Sequence, residues 1–388
     1  MSKNNFFDDK LYRFVLFIMV LVLGSFAVVG IMRINSSIRD AVVTLFETGE
    51  SKIVDFEFKK LFKNTNGKRA QQMAWFTGIK MNKDSLLNPS QIMLGAYDSR
   101  ANSNFRSILR LEDSLKTHLP LMQIYTTWGS RPENKFPVAE VKSILNLGSL
   151  PLITWEPWLN SFNAVQYPDI RDIKERSKHG LTDIANGFYD RYLRDWARDA
   201  KAAKVPIFLR FAHEMNDPFR YPWGPHNNSI DEYIQAWQHV HSVFDSLGVE
   251  NVIWVWSPHV SYEGYEAFYP GQEYVDYIAT NILNYGEGME WSNWYSFDKL
   301  FKFHYDKFAL YQKPMMIAEF GTLEYGGNKS QWFSDALTNF PEKYPMVKAL
   351  LFFHVENDNT AILKTFDWYF IEDSSCVNVI SKSINGWK

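Results

Sequence analysis

The chain has 388 residues, a formal net charge of −3, a single cysteine and 16% aromatic residues. The near-neutral charge excludes a nucleic-acid binder that works through a broad basic surface. Cys376, standing alone, excludes an internal disulfide framework and a multi-cysteine metal site. So many aromatic side chains indicate a folded chain with a large core, and at ~100–200 residues per domain the length allows two medium domains or one large α/β barrel.

Residues 1–13 form a short tail carrying Lys3, Lys10 and Arg13. Phe14 to Met32 then runs for 19 residues without a charge. At ~1.5 Å per residue, a helix of that length nearly spans a ~30 Å hydrocarbon layer. An uncleaved membrane anchor is expected, since a signal peptide has a shorter apolar core of ~7–15 residues. Ser25-Phe26-Ala27 leaves a cleaved signal as the alternative, and Ser25 stands where a lipoprotein would need cysteine. The basic residues differ little between the two flanks, so orientation rests on a slight bias. The rest of the chain is expected outside the cytoplasm, at the periplasmic or cell-surface side. Residues 33–89 are polar to mixed and read as a juxtamembrane stalk, with some helix packed on the domain after it.

From Gln91 onward, short runs rich in β-branched and aromatic residues alternate with helix-length segments. The runs are Ile92–Tyr97, Leu121–Trp128, Leu152–Trp158, Val205–Ala212, Asn251–Trp256, Val275–Leu283, Pro314–Phe320 and Val347–His354. Helical stretches are clearest at Ile184–Lys204, Ile230–Ser246, Phe297–Gln312 and Ser330–Phe340. Eight strands so spaced predict a (β/α)8 TIM barrel over residues 90–388. Neither a Gly-x-Gly-x-x-Gly after the first strand nor a GxxxxGK[ST] is present, which argues against dinucleotide or P-loop sites. Position 217 is Asp, so His213-Glu214 does not begin an HExxH zinc motif, and no G-x-S-x-G elbow occurs.

Reactive groups of such barrels stand at the carboxyl ends of the strands. The fourth run ends in Arg210-Phe211-Ala212-His213-Glu214-Met215-Asn216 and the seventh in Ala318-Glu319-Phe320-Gly321. Two carboxyls at one barrel mouth suit glycoside hydrolysis, one as proton donor and one as ionised nucleophile. A lone strand-end glutamate is more often a solvated or ion-paired residue; here Arg210 and His213 accompany it. Arg210 alternates onto the face of Ala212 and Glu214, and a guanidinium inside a barrel is costly to bury unless it meets a carboxylate.

Arg210–Asn216, Tyr221-Pro222-Trp223-Gly224 and Ala318–Gly321 resemble glycoside hydrolase family 26. Asn186–Asp190, Val255–Pro258 and Tyr269–Gly271 extend the resemblance over residues 90–370. It implies a clan-A barrel and, as in the best-known members, a retaining endo-β-1,4-mannanase; others cleave mixed-linkage β-glucan or β-1,3-xylan. By matching position it makes Glu214 the acid/base and Glu319 the nucleophile. His213 would lie beside the scissile sugar, and Tyr285 would donate a hydrogen bond to the nucleophile. Trp155, Trp158, Trp128 and Trp223 become candidate sugar platforms, with core packing as the alternative for each. No cofactor is implied. The partners expected are a β-linked polysaccharide, the membrane and, through the anchor, polysaccharide synthesis or export proteins. The chain departs from the mannanase pattern at Asp217-Pro218-Phe219-Arg220, at Leu283 and at Phe352-Phe353-His354, so mannan is the default substrate only. The rival reading is a carbohydrate-binding or assembly subunit without chemistry, and a transglycosylase would use the same residues.

Overall fold

A computed structural model describes residues 66–101, 105–361 and 364–387. The tail 1–13, the apolar stretch 14–32 and most of the stalk lie outside the described residues. Among those described, no helix is long and apolar enough to cross a membrane.

Among the described residues, three short helices come first: α1 Asn66–Gln72, α2 Ala74–Ile79 and α3 Lys83–Leu87. Met73, Phe76 and Leu86 pack into the same core cluster as the barrel residues Met93, Leu121 and Tyr277. The described residues 66–89, part of the stretch read as stalk, thus belong to the same compact unit as the barrel.

Eight parallel strands then close on themselves, the first pairing with the last. They are β1 Met93–Asp98, β2 Leu121–Thr127, β3 Leu150–Glu156, β4 Ile207–Phe211, β5 Val252–Trp256, β6 Tyr277–Asn284, β7 Met315–Thr322 and β8 Val347–His354. Strands covered on both faces read as nearly unbroken apolar runs rather than alternating ones; every residue of β4 and β5 is buried.

The outer helices include α4 Arg106–Leu115, α5 Val138–Asn146, α6 Gly180–Ala185, α7 Asp190–Ala202, α8 Ile230–Ser246, α9 Phe297–Ala309 and α10 Lys329–Leu337. The stretch expected as one helix over 184–204 breaks between α6 and α7, where Gly187 adopts φ +84° and the chain turns before restarting at Asp190. Helix α8 starts where its sequence indicates, since Ser229 Oγ accepts from Glu232 N and Glu232 Oε2 accepts from Ser229 N. Between β5 and β6 the crossover holds only 3-10 turns, at Tyr265–Phe268 and Gln272–Tyr274. After β8 come a two-stranded ribbon and a last helix, Ser374–Gly386.

Inside the barrel the layers change character from bottom to top. The lower ones are apolar: Leu121, Leu152, Phe208, Ile253, Ala279, Met316 and Leu351 share one cluster. Above them Gln123 Nε2 donates to Thr154 Oγ1, which also accepts from Arg210 Nε. This polar layer is the floor of the mouth.

Strand β7 carries the feature that decides the site. Its pairing with β6 passes from Thr280↔Ile317 to Asn281↔Glu319, and with β8 from Ile317↔Leu350 to Phe320↔Phe352. Both neighbours thus oppose one residue fewer than β7 supplies, which defines a bulge at Ala318–Glu319. Met316 and Ala318 face the interior, so uninterrupted alternation would send Phe320 inward and Glu319 outward. With the bulge, Glu319 turns into the mouth and Phe320 packs outward on Phe297, Trp332 and Phe333.

Candidate active site

Glu319 is held by two donors on one oxygen. Arg210 Nη2 lies 2.6 Å and the Tyr125 hydroxyl 2.5 Å from Oε1. The guanidinium of Arg210 is fully buried and spends its other donors on Thr154 Oγ1 (3.0 Å), Asn281 Oδ1 (2.9 Å) and the Tyr125 oxygen (3.2 Å). Burial works against its charge, but the neighbouring Tyr125 and Glu319 outweigh that and raise its pKa. Tyr125 is pushed well above the ordinary phenol range by burial and by Glu319, so it remains a donor. Among the described residues no donor reaches Oε2 of Glu319, and that oxygen is the one left for chemistry.

Glu214 stands past the end of β4 on a backbone of unusual shape. Ala212 and Glu214 adopt φ +42° and +52°, left-handed values that cost a non-glycine residue of the order of 1–3 kcal/mol. Glu214 N donates to Ser257 O at 2.7 Å and Ala212 N to Trp155 O at 3.1 Å, which tie the kink to both neighbouring strand ends. Asn281 Nδ2 donates to Glu214 Oε1 at 2.7 Å. One amide on β6 therefore joins Arg210, and through it Glu319, to Glu214. Burial alone would raise the Glu214 pKa, yet the neighbouring His259, His213, Arg220 and Arg210 side chains bring it below the usual carboxylate range. Its Oε2 is buried with no hydrogen-bond partner, and Nδ1 of His213 is likewise unpartnered.

The remaining residues of the motif have structural reasons to be there. His213 is buried, contacts the Tyr221 hydroxyl through Nε2 at 3.1 Å and is neutral, because desolvation and Arg210 lower its pKa well below the ordinary value. Asn216 clasps the loop after β5, giving Nδ2 to the carbonyls of His259 and Tyr262 and accepting from His259 N. That clasp brings His259 Nε2 to 3.9 Å from Glu214 Oε1. Glu214, Asp217 and His259 place ligand atoms within 4.8 Å of one another. Nδ1 of His259 accepts from Ser261 N, which leaves Nε2 as the ring nitrogen turned towards Glu214.

The roles expected of four residues are corrected. Tyr285 does not donate to Glu319; it packs edge-on against Trp368 and Phe366 beyond the end of β6, and Tyr125 of β2 makes that hydrogen bond instead. Trp155 and Trp128 are 0% exposed and pack tilted against each other, Trp128 stacking on Phe211 and Trp155 on Trp196 of α7. The cause is strand parity: Thr154 and Glu156 face the mouth, so Trp155 between them faces the helices. Trp223 is also buried, stacked 4.5 Å from Tyr221 and donating its indole N–H to His213 O. Trp158 alone of the four is half-buried at the mouth, its indole fixed by Glu156 Oε2 at 3.0 Å.

Tyr125, Asn281, Glu156, His259 and Arg220 were not singled out from sequence. Alternation along β2, β3 and β6 would have found the first three, since each lies on the inward face of its strand. Glu156 is a third carboxyl of the mouth, its pKa raised chiefly by burial.

Two substitutions separate these roles. Trp155→Ala is expected to lower stability by about 3–5 kcal/mol through cavity formation, with the KM of any accepted glycan unchanged. Trp158→Ala is expected to raise KM several-fold with little loss of stability, which denaturant titration beside steady-state kinetics measures. Tyr125→Phe removes one donor from Glu319 and is expected to lower kcat by at least about tenfold, measured on the same glycan.

Residues 147–340 match the sequence profile of Glycosyl hydrolase family 26, a span that contains both Glu214 and Glu319. The chain belongs to glycosyl hydrolase family 26. It is 34% identical over 251 residues to Endoglucanase H of Acetivibrio thermocellus, covering 62% of this chain and 25% of that protein. To a mannan endo-1,4-beta-mannosidase of Bacillus subtilis it is 27% identical over 160 residues, covering 39% and 40%. The chain thus aligns with a quarter to two fifths of these relatives' lengths. Among solved structures, a family 26 beta-mannanase from Bacteroides ovatus superposes with a TM-score of 0.57 at 15% identity, covering 79% of this chain and 93% of that one. The YdhT protein of Bacillus subtilis gives 0.54 at 18% identity, covering 78% and 89%. At such identities the superpositions establish a shared barrel fold.

Proposed function

We propose that this chain is a retaining endo-β-glycanase that cleaves a β-linked polysaccharide by double displacement. The observation that carries the reading is the Glu319 carboxylate. Arg210 and Tyr125 hold its Oε1 and leave Oε2 without a donor, while Asn281 joins Arg210 to Glu214. In the first step Oε2 of Glu319 attacks the anomeric carbon and forms the glycosyl-enzyme bond, while protonated Glu214 gives its proton to the departing glycosidic oxygen. In the second, Glu214 takes a proton from water, whose oxygen attacks the same carbon and releases Glu319. Two inversions retain the anomeric configuration.

The departures at Leu283 and 217–220, together with the higher identity to Endoglucanase H, favour a β-glucan ahead of mannan. Mixed-linkage β-glucan, mannan and β-xylan should be offered in parallel, with product size and anomer followed. Release of mid-length oligosaccharides with retained anomer supports the reading. Binding without cleavage of any polymer would instead favour the carbohydrate-binding subunit. The uncharged stretch Phe14–Met32 supports a membrane tether with the barrel outside the cytoplasm; digestion of the barrel by protease added to intact cells tests that placement.

A further inference from the structure

The loop after Glu214 contains one of the stretches where this chain departs from the mannanase pattern, 217–220, and Arg220 within it faces the carboxyl. Arg220 Nη1 lies 3.7 Å from Glu214 Oε2, the buried oxygen without a hydrogen-bond partner. The contact is an ion pair beyond hydrogen-bond reach, and the Arg220 side chain is 45% exposed. Its backbone is fixed, since Asp217 Oδ1 accepts from the N–H groups of Phe219 and Arg220 at 2.8 and 3.1 Å. In the position that faces Glu214 the guanidinium also lies over the Tyr221 ring, 4.9 Å from Cζ to the ring centre.

We propose that Arg220 is a removable counter-ion of Glu214: it rests beside the carboxylate in the free enzyme, and an entering glycan turns it aside so that Glu214 takes up the proton it later donates. This rests on the glycanase reading above.

The surroundings of Glu214 leave this role to Arg220. From β4 it is faced by Arg210, whose charge is committed to Glu319 and which is fully buried. His213, next in the chain, is neutral. From the loop after β5 come His259 and Tyr262, and from β6 Asn281 and Tyr285. Asp217 and Tyr221 flank it within its own loop. Among the described residues, Arg220 is the permanently charged cation that can leave without breaking a hydrogen bond to the carboxyls. Once that cation is gone, burial acts on the carboxylate with one opposing charge fewer, which moves Glu214 towards its neutral form.

Loss of a neighbouring cation therefore raises the pH at which the acid gives up its proton. In kcat/KM the basic limb reports that loss in the free enzyme, and in kcat it reports the enzyme–substrate complex. Arg220→Met, assayed on mixed-linkage β-glucan, mannan and β-xylan, is expected to move the basic limb of kcat/KM up by about one to three pH units. The basic limb of kcat should stay where it is, because Arg220 has already left Glu214 in that complex. Arg220→Lys keeps the charge and is expected to restore the wild-type limb. A kcat/KM limb unmoved in Arg220→Met, or an equal shift in kcat, overturns the inference while leaving the glycanase reading intact. Absence of cleavage of all three polymers by the wild-type chain overturns that reading itself.

Discussion

Glu319→Ala is expected to lower kcat/KM by at least about 10⁴-fold, the scale on which loss of a covalent nucleophile acts. The fold should survive, because Glu319 is only one of four acceptors around Arg210 and the bulge in β7 is set by backbone pairing. The variant carries its own control. Azide, small enough for the space the carboxylate vacates, should attack the anomeric carbon of an activated aryl glycoside directly. One displacement in place of two yields a glycosyl azide of inverted configuration and partly restores turnover. Recovery without inversion, or near-wild-type activity in the absence of azide, would contradict the role given to Glu319.

Arg210→Met should be nearly as damaging for a different reason. It removes a fully buried charge whose partner stays behind, and breaking one half of a buried ion pair costs about 3–5 kcal/mol. Thr154, Asn281 and Tyr125 lose their shared partner in the same change, and with it the link from Glu319 through Asn281 to Glu214. We expect a large drop in denaturation midpoint together with a fall in kcat of at least about 100-fold. Arg210→Lys retains charge but not the planar fork that reaches several acceptors at once, so it should recover stability more than rate. Denaturant titration beside kcat on one glycan separates the two losses.

Much of the barrel is legible from apolar runs alone, because strands buried on both faces have nothing else to be. The interruptions are less so. The turn at Gly187 depends on local geometry inside a stretch whose composition still looks helical. Within the site, the glutamates stand out as charges at the ends of apolar runs, whereas Tyr125 and Asn281 look like ordinary strand residues until register shows which way they face. Trp155 shows the same lesson in reverse, a conspicuous residue whose parity sends it into the helical shell. The bulge at Ala318–Glu319 is the part that composition and period could not supply. Strict alternation from Met316 would have turned Glu319 away from the mouth, and only the pairing of β7 with both neighbours brings it in. Arg220 obeys no periodicity, since it lies on a loop fixed by the Asp217 turn.

The most direct test of the account is covalent trapping. A 2-deoxy-2-fluoro glycoside with a dinitrophenolate leaving group, offered with glucose, mannose or xylose stereochemistry, forms the glycosyl-enzyme quickly and releases it slowly. Intact-mass and peptide mapping of the inactivated protein should show one sugar per chain, attached to the peptide carrying Glu319. A label on Glu214 or on any other residue, or polymer hydrolysis with inverted product and no trapped sugar, would contradict it.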